Sequence, residues 1–174
     1  MDMKTSTFTS PSSFPRFHPH VTLATVPAEF SVEALRQAIP AGQPIVPVTF
    51  KVVEVGDKYF MSIYTTVHQD GLLGELRTAL IKTLGESTVP PKSHVSLFYI
   101  DDSEPEERTK MFDDLVKQHK IVDLDGDKVA LGCSSAPGAD PRAVISSFGG
   151  SEIWIALCDG PVETWTVEEK IKLS

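Results

Sequence analysis

A four-residue pattern occurs twice in this chain and restricts how the chain can fold. HVTL occupies residues 20–23 and HVSL occupies residues 94–97, so the offset between the copies is 94 − 20 = 74. Each copy lies in a run of strand-forming residues, and each is followed by a helical pattern and then by further strand patterns. We interpret the two halves as a degenerate internal duplication, which predicts two equivalent strands beside one groove.

Periodicity and turn signals along the chain predict an α+β protein. Strand patterns lie at residues 16–26, 45–55, 58–68, 93–100, 127–133, 152–158 and 162–173. Helical patterns lie at residues 31–39, 70–85 and 104–120. The strand patterns on either side of Gly56 and Asp57 predict an antiparallel hairpin, and Pro47 places the first of them near an edge or a bulge. Residues 134–150 are rich in Ser, Pro and Gly and predict a loop that could move over a ligand.

The chain has 174 residues, enough for one domain with a core of its own. Residues 1–15 are rich in Ser, Thr and Pro without periodicity, so we expect a flexible lead-in there and a single domain over residues 16–174. The duplication divides that domain into halves at about residues 16–90 and 91–174. Cys133 and Cys158 are too few for a disulfide framework and are expected to be free and buried.

Charge and hydropathy exclude some classes of partner. A formal net charge of −8 argues against a protein that binds long nucleic acid, because that binding depends on many Lys and Arg contacts to phosphates. A small phosphorylated ligand remains compatible, since one local pocket can be polar or positive on an acidic protein. We find no run long and apolar enough to span a bilayer and no secretory signal, so we expect a protein of the cytosol or nucleus without a membrane partner.

The repeated motif places two kinds of functional group on each of two strands. Residues two apart share a face of a strand, so His20 projects with Thr22, and His94 projects with Ser96. The intervening valines point to the opposite, apolar side and would anchor each strand in the core. A lone H-x-[ST] is usually without function, but its occurrence in equivalent strands of both halves favours a functional role.

Two imidazoles and two hydroxyls suit the cleavage of a phosphodiester. Imidazole titrates close to neutral pH, so one histidine can take a proton from water while the other gives a proton to the departing sugar oxygen. The hydroxyls can donate hydrogen bonds to the non-bridging phosphate oxygens, and this scheme requires no metal. His20, Thr22, His94 and Ser96 are therefore the candidate catalytic residues. Either histidine can be the base, because the pseudo-symmetry allows both assignments.

The other histidines have simpler explanations. His18 shares the parity of His20, and HPH could bind a metal, but Pro19 and the lack of a nearby carboxylate pair argue against a metal site. We expect His18 at the mouth of the groove or in solvent. His68 closes a strand pattern, and the helix dipole accounts for His119 near a helix C-terminus.

Four blocks of the sequence resemble a known family in their order along the chain. They are FHPHVTLAT at 17–25, GDKYF at 56–60, SHVSLFYID at 93–101 and LCDGPVETW at 157–165. Together they are similar to the fungal and plant 2',3'-cyclic nucleotide 3'-phosphodiesterases of the 2H phosphoesterase superfamily, which carries two H-x-[ST] motifs. The similarity runs from about Arg16 to the C-terminus. It implies a bilobal fold, with two pseudo-symmetric lobes of antiparallel sheet and outer helices around a central groove.

The resemblance also implies an activity. Members of that family hydrolyse ADP-ribose 1'',2''-cyclic phosphate, a by-product of tRNA splicing, and nucleoside 2',3'-cyclic phosphates, leaving a 2'-phosphate from the latter. We expect the same activity here, without a cofactor. The same four motif residues would be the catalytic quartet. Two other functions stay open: a 2H enzyme acting on RNA ends, which needs a basic path to the groove, and a non-catalytic nucleotide-binding module.

Aromatic residues near the motifs are candidate substrate contacts. Tyr99 aligns with a tyrosine that lies near the substrate in the relatives, although strict alternation puts it on the face opposite His94 unless the strand twists or bulges. Trp154 and Phe17 could stack a base and are equally good core residues.

Two basic residues lie close to the motifs in the sequence. Lys92 and Arg16 share the parity of the neighbouring histidines and could assist phosphate binding.

The relatives have a strand and a helix ahead of the first motif, where this chain has only residues 1–17. An exposed sheet edge would follow, so we expect either a monomer or a dimer formed through the shortened N-terminal region.

Overall fold

The computed structural model describes residues 10–132 and 143–174, and it confirms the predicted α+β class. Three α-helices are present in these ranges: α1 (Val32–Ala38), α2 (Gly71–Leu84) and α3 (Pro105–Lys117). The strands are β1 (Val46–Val55), β2 (Ile63–Val67), β3 (His94–Phe98), β4 (Ile121–Leu124), β5 (Lys128–Gly132), β6 (Val144–Ile145), β7 (Ser147–Gly150), β8 (Glu152–Leu157) and β9 (Thr166–Lys172). The pairings between these strands are antiparallel.

The largest sheet has the order β3-β2-β1-β7 and joins strands from both halves of the chain. Its β1–β2 hairpin is the one predicted around Gly56 and Asp57. Pro47 pairs with Gly149 of β7, in the half of β1 that precedes the pairing with β2. Its missing N–H therefore costs no pairing with β2, and the predicted edge-like position is confirmed. Smaller sheets, β4-β5-β6 and β8-β9, complete the described topology.

The three predicted helices begin and end close to their sequence signals. The Ser31 hydroxyl caps α1 by accepting a 3.1 Å hydrogen bond from the Ala34 amide. Asp70 precedes α2, and Gly85 ends it with φ +98°, a backbone conformation that only glycine adopts without strain. Pro105 opens α3, where its missing N–H would have no helical partner.

One apolar core lies between α2 and the large sheet. Leu73, Leu76 and Leu80 of α2 share a buried cluster with Val53 of β1 and Val95 of β3. Each buried leucine contributes roughly 2 kcal/mol relative to an exposed one. This packing fixes the apolar face of the sheet and leaves its other face to carry the polar side chains.

The strand predicted at residues 16–26 is not formed. Within the described residues, Val21 makes an isolated antiparallel bridge to Val95, and the flanking residues are extended without a ladder. Further along, the Thr25 amide donates to the Thr88 carbonyl at 2.8 Å, outside the sheet. The sequence pattern was correct about the extended backbone and wrong about continuous pairing, because pairing depends on what lies beside the segment.

The loop predicted at residues 134–150 contains two short strands. β6 pairs with β5, and β7 pairs with the first half of β1. Glycine is depleted in strands, so the pattern around Gly149 and Gly150 did not predict β7. Residues 134–142 of that predicted loop lie outside the described residues.

The cysteine prediction is half right for Cys158. Its thiol is free, as expected, but the residue is exposed rather than buried, since it follows the last residue of β8 at the start of a turn. Cys133 lies outside the described residues.

Hydrogen bonds attach residues 10–13 to the loop that follows β3. The Ser10 hydroxyl donates to Asp101 at 2.8 Å, and the Ser13 hydroxyl donates to Glu104 at 2.6 Å. The Asp101 amide donates back to the Ser13 hydroxyl at 2.9 Å. We call Ser10, Ser13, Asp101 and Glu104 the serine anchor. The domain limits predicted from the sequence stay a prediction.

As for the membrane, none of the helices within residues 10–132 and 143–174 combines the length and apolar character needed to cross a bilayer.

Candidate active site

The two histidine motifs lie side by side in the fold. Val21 is bridged to Val95 in antiparallel register, which sets His20 opposite Ser96 and Thr22 opposite His94. The bridged valines have the same sequence offset as the two motifs. A local twofold axis between the valines therefore relates one motif to the other.

All four candidate catalytic side chains leave the sheet on one face. Residues on either side of a bridged pair alternate with it, and Val95 is only 3% exposed because it points into the core. His20 and His94 occupy diagonal positions, which in antiparallel pairs lie about 7–8 Å apart.

Both imidazoles are held through the same nitrogen. His20 Nδ1 lies 2.7 Å from the His18 carbonyl oxygen, and His94 Nδ1 lies 3.3 Å from the Lys92 carbonyl oxygen. A carbonyl can only accept, so Nδ1 carries the hydrogen in each bond. Nε2 of each neutral ring is then free to accept or, once charged, to give a proton.

The polar face of the sheet continues beyond the motifs onto β2 and β1. Strand pairing aligns two rows across it: His20, Ser96, Tyr64 and Glu54 in one, and Thr22, His94, Thr66 and Val52 in the other. Sequence alternation predicted which residues share a face within each strand. Only the strand register shows which residues of different strands stand in one row.

A β-bulge in β3 decides the position of Tyr99. Two successive residues of β2 pair with Ser96 and Phe98, so Leu97 is the extra residue. An extra residue reverses the alternation that follows it, and Tyr99 returns to the side of Ser96. The strict alternation that placed Tyr99 opposite His94 is therefore wrong, and the bulge is the alternative that applies.

Tyr99 and Ser96 form a buried polar pair at one corner of the site. Burial raises the pKa of Tyr99, and a hydrogen bond with the Ser96 side chain opposes part of that rise. The Ser96 hydroxyl also lies 3.1 Å from the Phe60 carbonyl oxygen, to which it donates. The Tyr99 hydroxyl thus stays protonated at neutral pH and can serve as a donor.

An aromatic cluster surrounds Tyr99. Phe17 stacks on its ring with centroids 4.3 Å apart, and Tyr59 and Phe60 lie 5.4 and 5.6 Å away. Trp165 approaches Phe60 at 5.8 Å. Phe60 is 51% exposed, so an apolar surface borders the site. Sequence reasoning missed Tyr59, Phe60 and Trp165, although they lie in two of the blocks that carry the family resemblance.

Trp154 lies beside the first motif. Its ring centroid is 5.4 Å from that of His18, and Lys170 Nζ sits 3.9 Å from the ring centre in a cation–π contact. The indole N–H donates to Glu152 at 2.8 Å. Trp154 keeps 38% of its surface exposed, so its role in base stacking stays a prediction.

The two basic candidates differ in their surroundings. The Lys92 ammonium binds Glu54, and this hydrogen bond is the main cause that lowers the pKa of Glu54. The Arg16 side chain is exposed, and its amide donates to Glu163 at 3.2 Å. Glu54 was not among the sequence candidates, because its contact with Lys92 depends on cross-strand register.

The remaining two histidines have other contacts and positions. His68 Nε2 is 2.9 Å from the Asp127 carbonyl oxygen, and His119 follows α3 with φ +54°. Over the described ranges, we find no group of three or more His, Cys, Asp or Glu side chains that could hold a metal ion.

One protein family matches this chain over most of its length. A family model described as cyclic phosphodiesterase-like protein matches residues 4–173, a span that includes both motifs and the aromatic cluster. Among curated proteins, none matches the chain.

Proposed function

Because the chain belongs to the family of cyclic phosphodiesterase-like proteins, which implies cyclic phosphodiesterase activity, we propose that it hydrolyses nucleoside 2',3'-cyclic phosphates and ADP-ribose 1'',2''-cyclic phosphate. The products are the 2'-phosphate and the 1''-phosphate. The resemblance of its sequence blocks to the fungal and plant enzymes supports these substrates and a role in the metabolism of tRNA-splicing by-products. A small substrate also suits a net charge of −8.

One observation carries the proposal. The Val21–Val95 bridge supports convergence of two imidazoles and two hydroxyls on one face of the sheet. Each imidazole is bound at Nδ1 by a carbonyl two residues earlier in the chain, so both rings keep Nε2 for proton transfer. Such a pair can hold a general base and a general acid on opposite sides of one phosphorus atom.

In the proposed reaction with a nucleoside 2',3'-cyclic phosphate, one histidine takes a proton from water at Nε2 while the water oxygen bonds to phosphorus. The bond between phosphorus and O3' breaks, and O3' receives the Nε2 proton of the other, charged histidine. One water is consumed, and solvent restores the two protonation states. Either histidine can act first as the base, as the local twofold arrangement allows both. The scheme uses no metal and no cofactor.

Hydroxyl groups stabilise the developing charge. Thr22 and Ser96 donate to the non-bridging oxygens, with Ser96 turning from the Phe60 carbonyl toward the phosphate. Tyr99, held beside Ser96, supplies a further donor at the same corner. Phe17 and Trp154 then border the substrate on the side of the first motif, where an exposed ring can stack on a base.

Product analysis tests this proposal most directly. The protein is incubated with 2',3'-cyclic AMP and with ADP-ribose 1'',2''-cyclic phosphate, with and without EDTA, and the products are separated. We expect the 2'-phosphate and the 1''-phosphate at the same rate in EDTA. A 3'-phosphate product would contradict the assignment. Tight binding without turnover would indicate a binding module instead, and salt-dependent affinity for oligonucleotides would favour an enzyme acting on RNA ends.

A further inference from the structure

Three linked side chains lie next to His94 on the polar face of the sheet. The Tyr64 ring meets the His94 ring edge-on, with centroids 5.2 Å apart. The Tyr64 hydroxyl donates to Glu54 Oε2 at 2.7 Å, and the same oxygen accepts a hydrogen bond from the Lys92 ammonium. We call Glu54, Tyr64 and Lys92 the Glu54 cluster.

The cluster reaches His94 by two routes. The first is the Tyr64 ring, which is 6% exposed and fixed at its far end by the bond to Glu54. The second is Lys92, whose carbonyl oxygen binds His94 Nδ1 while its ammonium binds Glu54 and lies 5.6 Å from the centre of the Tyr64 ring. Glu54 is thus the common anchor of both contacts with the imidazole.

Strand pairing alone does not require a carboxylate beside Tyr64. Glu54 lies opposite Tyr64 in the pairing of β1 with β2, two strands from the motif on β3. Burial is the largest cause that raises the pKa of Tyr64 to about 12, so the hydroxyl remains a donor to the carboxylate at any pH at which the enzyme is folded and active. The Tyr64 hydroxyl therefore stays protonated at neutral pH, and the lowered pKa of Glu54 keeps its carboxylate charged there.

We propose that Glu54 and Tyr64 are positioning residues for His94. By holding the Tyr64 ring and Lys92 together, Glu54 fixes the plane of the imidazole so that Nε2 points into the groove. This inference rests on the proposed function, since it assigns a role within that reaction. His20 is held differently: its ring is exposed and has a shorter bond, 2.7 Å, to the His18 carbonyl oxygen.

The charges near His94 predict a specific change in the pH–rate profile when Glu54 is replaced. Glu54 of β1 and Asp57 of the turn after β1 both act on Tyr64, and the Lys92 ammonium, two residues before β3, binds Glu54. Replacing Glu54 by Gln leaves the Lys92 ammonium without a counter-charge, and an added positive charge disfavours a charged imidazole. Whichever limb of the pH–rate profile His94 sets, that limb should move to lower pH.

The experiment compares four variants with the wild-type protein in hydrolysis of 2',3'-cyclic AMP. Glu54→Gln removes the charge, Tyr64→Leu removes the ring, and Tyr64→Phe keeps the ring but removes the hydroxyl. Asp127→Asn is the matched control, because it removes another ion pair of β1, Lys51–Asp127 at 3.0 Å, whose partners are neither Lys92 nor Tyr64, the two residues in contact with His94. Asparagine also tolerates the positive φ of 57° at that position.

We expect kcat to fall about tenfold in Glu54→Gln and Tyr64→Leu with KM within about twofold, since misplacing a catalytic group by about 1 Å can cost up to 100-fold. Tyr64→Phe keeps the ring contact with His94 but loses the hydrogen bond that anchors the ring to Glu54, so its kcat should lie between those of the wild type and Tyr64→Leu. Glu54→Gln should also shift one limb of the profile to lower pH, and Asp127→Asn should match the wild type in all three respects.

Several results would overturn the inference. Unchanged kcat and an unshifted profile in Glu54→Gln would do so, as would equal losses in Glu54→Gln and Asp127→Asn. Thermal unfolding of each variant separates a folding defect from a positioning defect. If Tyr64→Leu does not fold, Glu54→Gln still tests the inference, because Glu54 is partly exposed. An inactive wild-type protein would instead refute the proposed function itself.

Discussion

The two histidine motifs have nearly the same sequence but very different support. His94 belongs to β3, inside the hydrogen-bonded order β3-β2-β1, and touches the Tyr64 ring. His20 belongs to an extended segment that meets the sheet through the Val21 bridge and is exposed. Near-identical local sequences therefore give one well-supported and one lightly supported histidine motif. Segments with few ladder hydrogen bonds open at low free-energy cost, so the first motif should be the more mobile of the two.

The first motif receives support from residues that precede it. The Phe14 amide donates to the Tyr99 carbonyl at 2.8 Å, and Phe17 stacks on the Tyr99 ring. The serine anchor fixes this stretch at its start. The first motif has few strand hydrogen bonds. Contacts between the residues that precede it and the residues that follow β3 provide additional support.

Removing either imidazole should have the largest effect and tests whether the two arms share one reaction. We expect His20→Ala and His94→Ala each to lower kcat by about 10²- to 10⁴-fold, the range typical of a positioned general acid or base. Steady-state hydrolysis of 2',3'-cyclic AMP measures this loss. His18→Ala is the control and should change kcat little. A loss confined to one of the two histidines would show that the motifs do not act as a pair.

Weakening the serine anchor should affect the first motif and spare the second. Ser13→Ala removes a 2.6 Å bond to Glu104 and a 2.9 Å bond from the Asp101 amide. Each bond contributes about 1 kcal/mol to the stability of this segment. Amide exchange at residues 20–22 should therefore accelerate about tenfold or more, while exchange at residues 94–96 stays unchanged. Thr83→Ala, which removes an exposed hydroxyl bond within α2, is the matched control. Equal acceleration in both motifs would contradict separate support.

Acid should release the same anchor, with the smallest effect of the three. Hydrogen bonds, first from the Ser103 amide and then from the Ser103 and Ser10 hydroxyls, lower the pKa of Asp101 from 3.8 to about 2. A depressed carboxyl pKa stabilises the anchored form above about pH 4, and this contribution is lost as the pH falls toward 2. The amide signals of residues 10–14 should therefore shift in NMR spectra over that interval.

Asp101→Asn provides the check on that titration. The variant should lose the acid-induced shift of residues 10–14, because it has no carboxyl to protonate at that position. An identical shift in the variant would assign the transition to another group, such as Glu104.

Sequence patterns predicted the parts of the structure that depend on near neighbours. α2 ends at Gly85, and the β1–β2 hairpin lies where the turn signal at Gly56 and Asp57 placed it. Within each motif the histidine and the hydroxyl residue share one face, since alternation within a strand is a local property. These features needed only the residue itself and those within a few positions of it.

Contacts between distant segments could not be predicted in this way. The bulge at Leu97 moved Tyr99 to the side of Ser96, and β7 formed from a Gly-rich stretch because β1 lay beside it. The Glu54 cluster draws its members from three separate strands or strand ends. A one-residue change of register would have separated each of these groups.

The sequence by itself determined which side chains could do chemistry: two imidazoles and two hydroxyls, each pair on one face of an extended backbone. The tertiary structure decided that the two extended segments meet at Val21 and Val95, and that only one of them has a carboxylate-anchored tyrosine beside its histidine. The physical reason is that alternation of side chains is set by local backbone geometry, whereas register and neighbouring strands are set by the packing of the whole core.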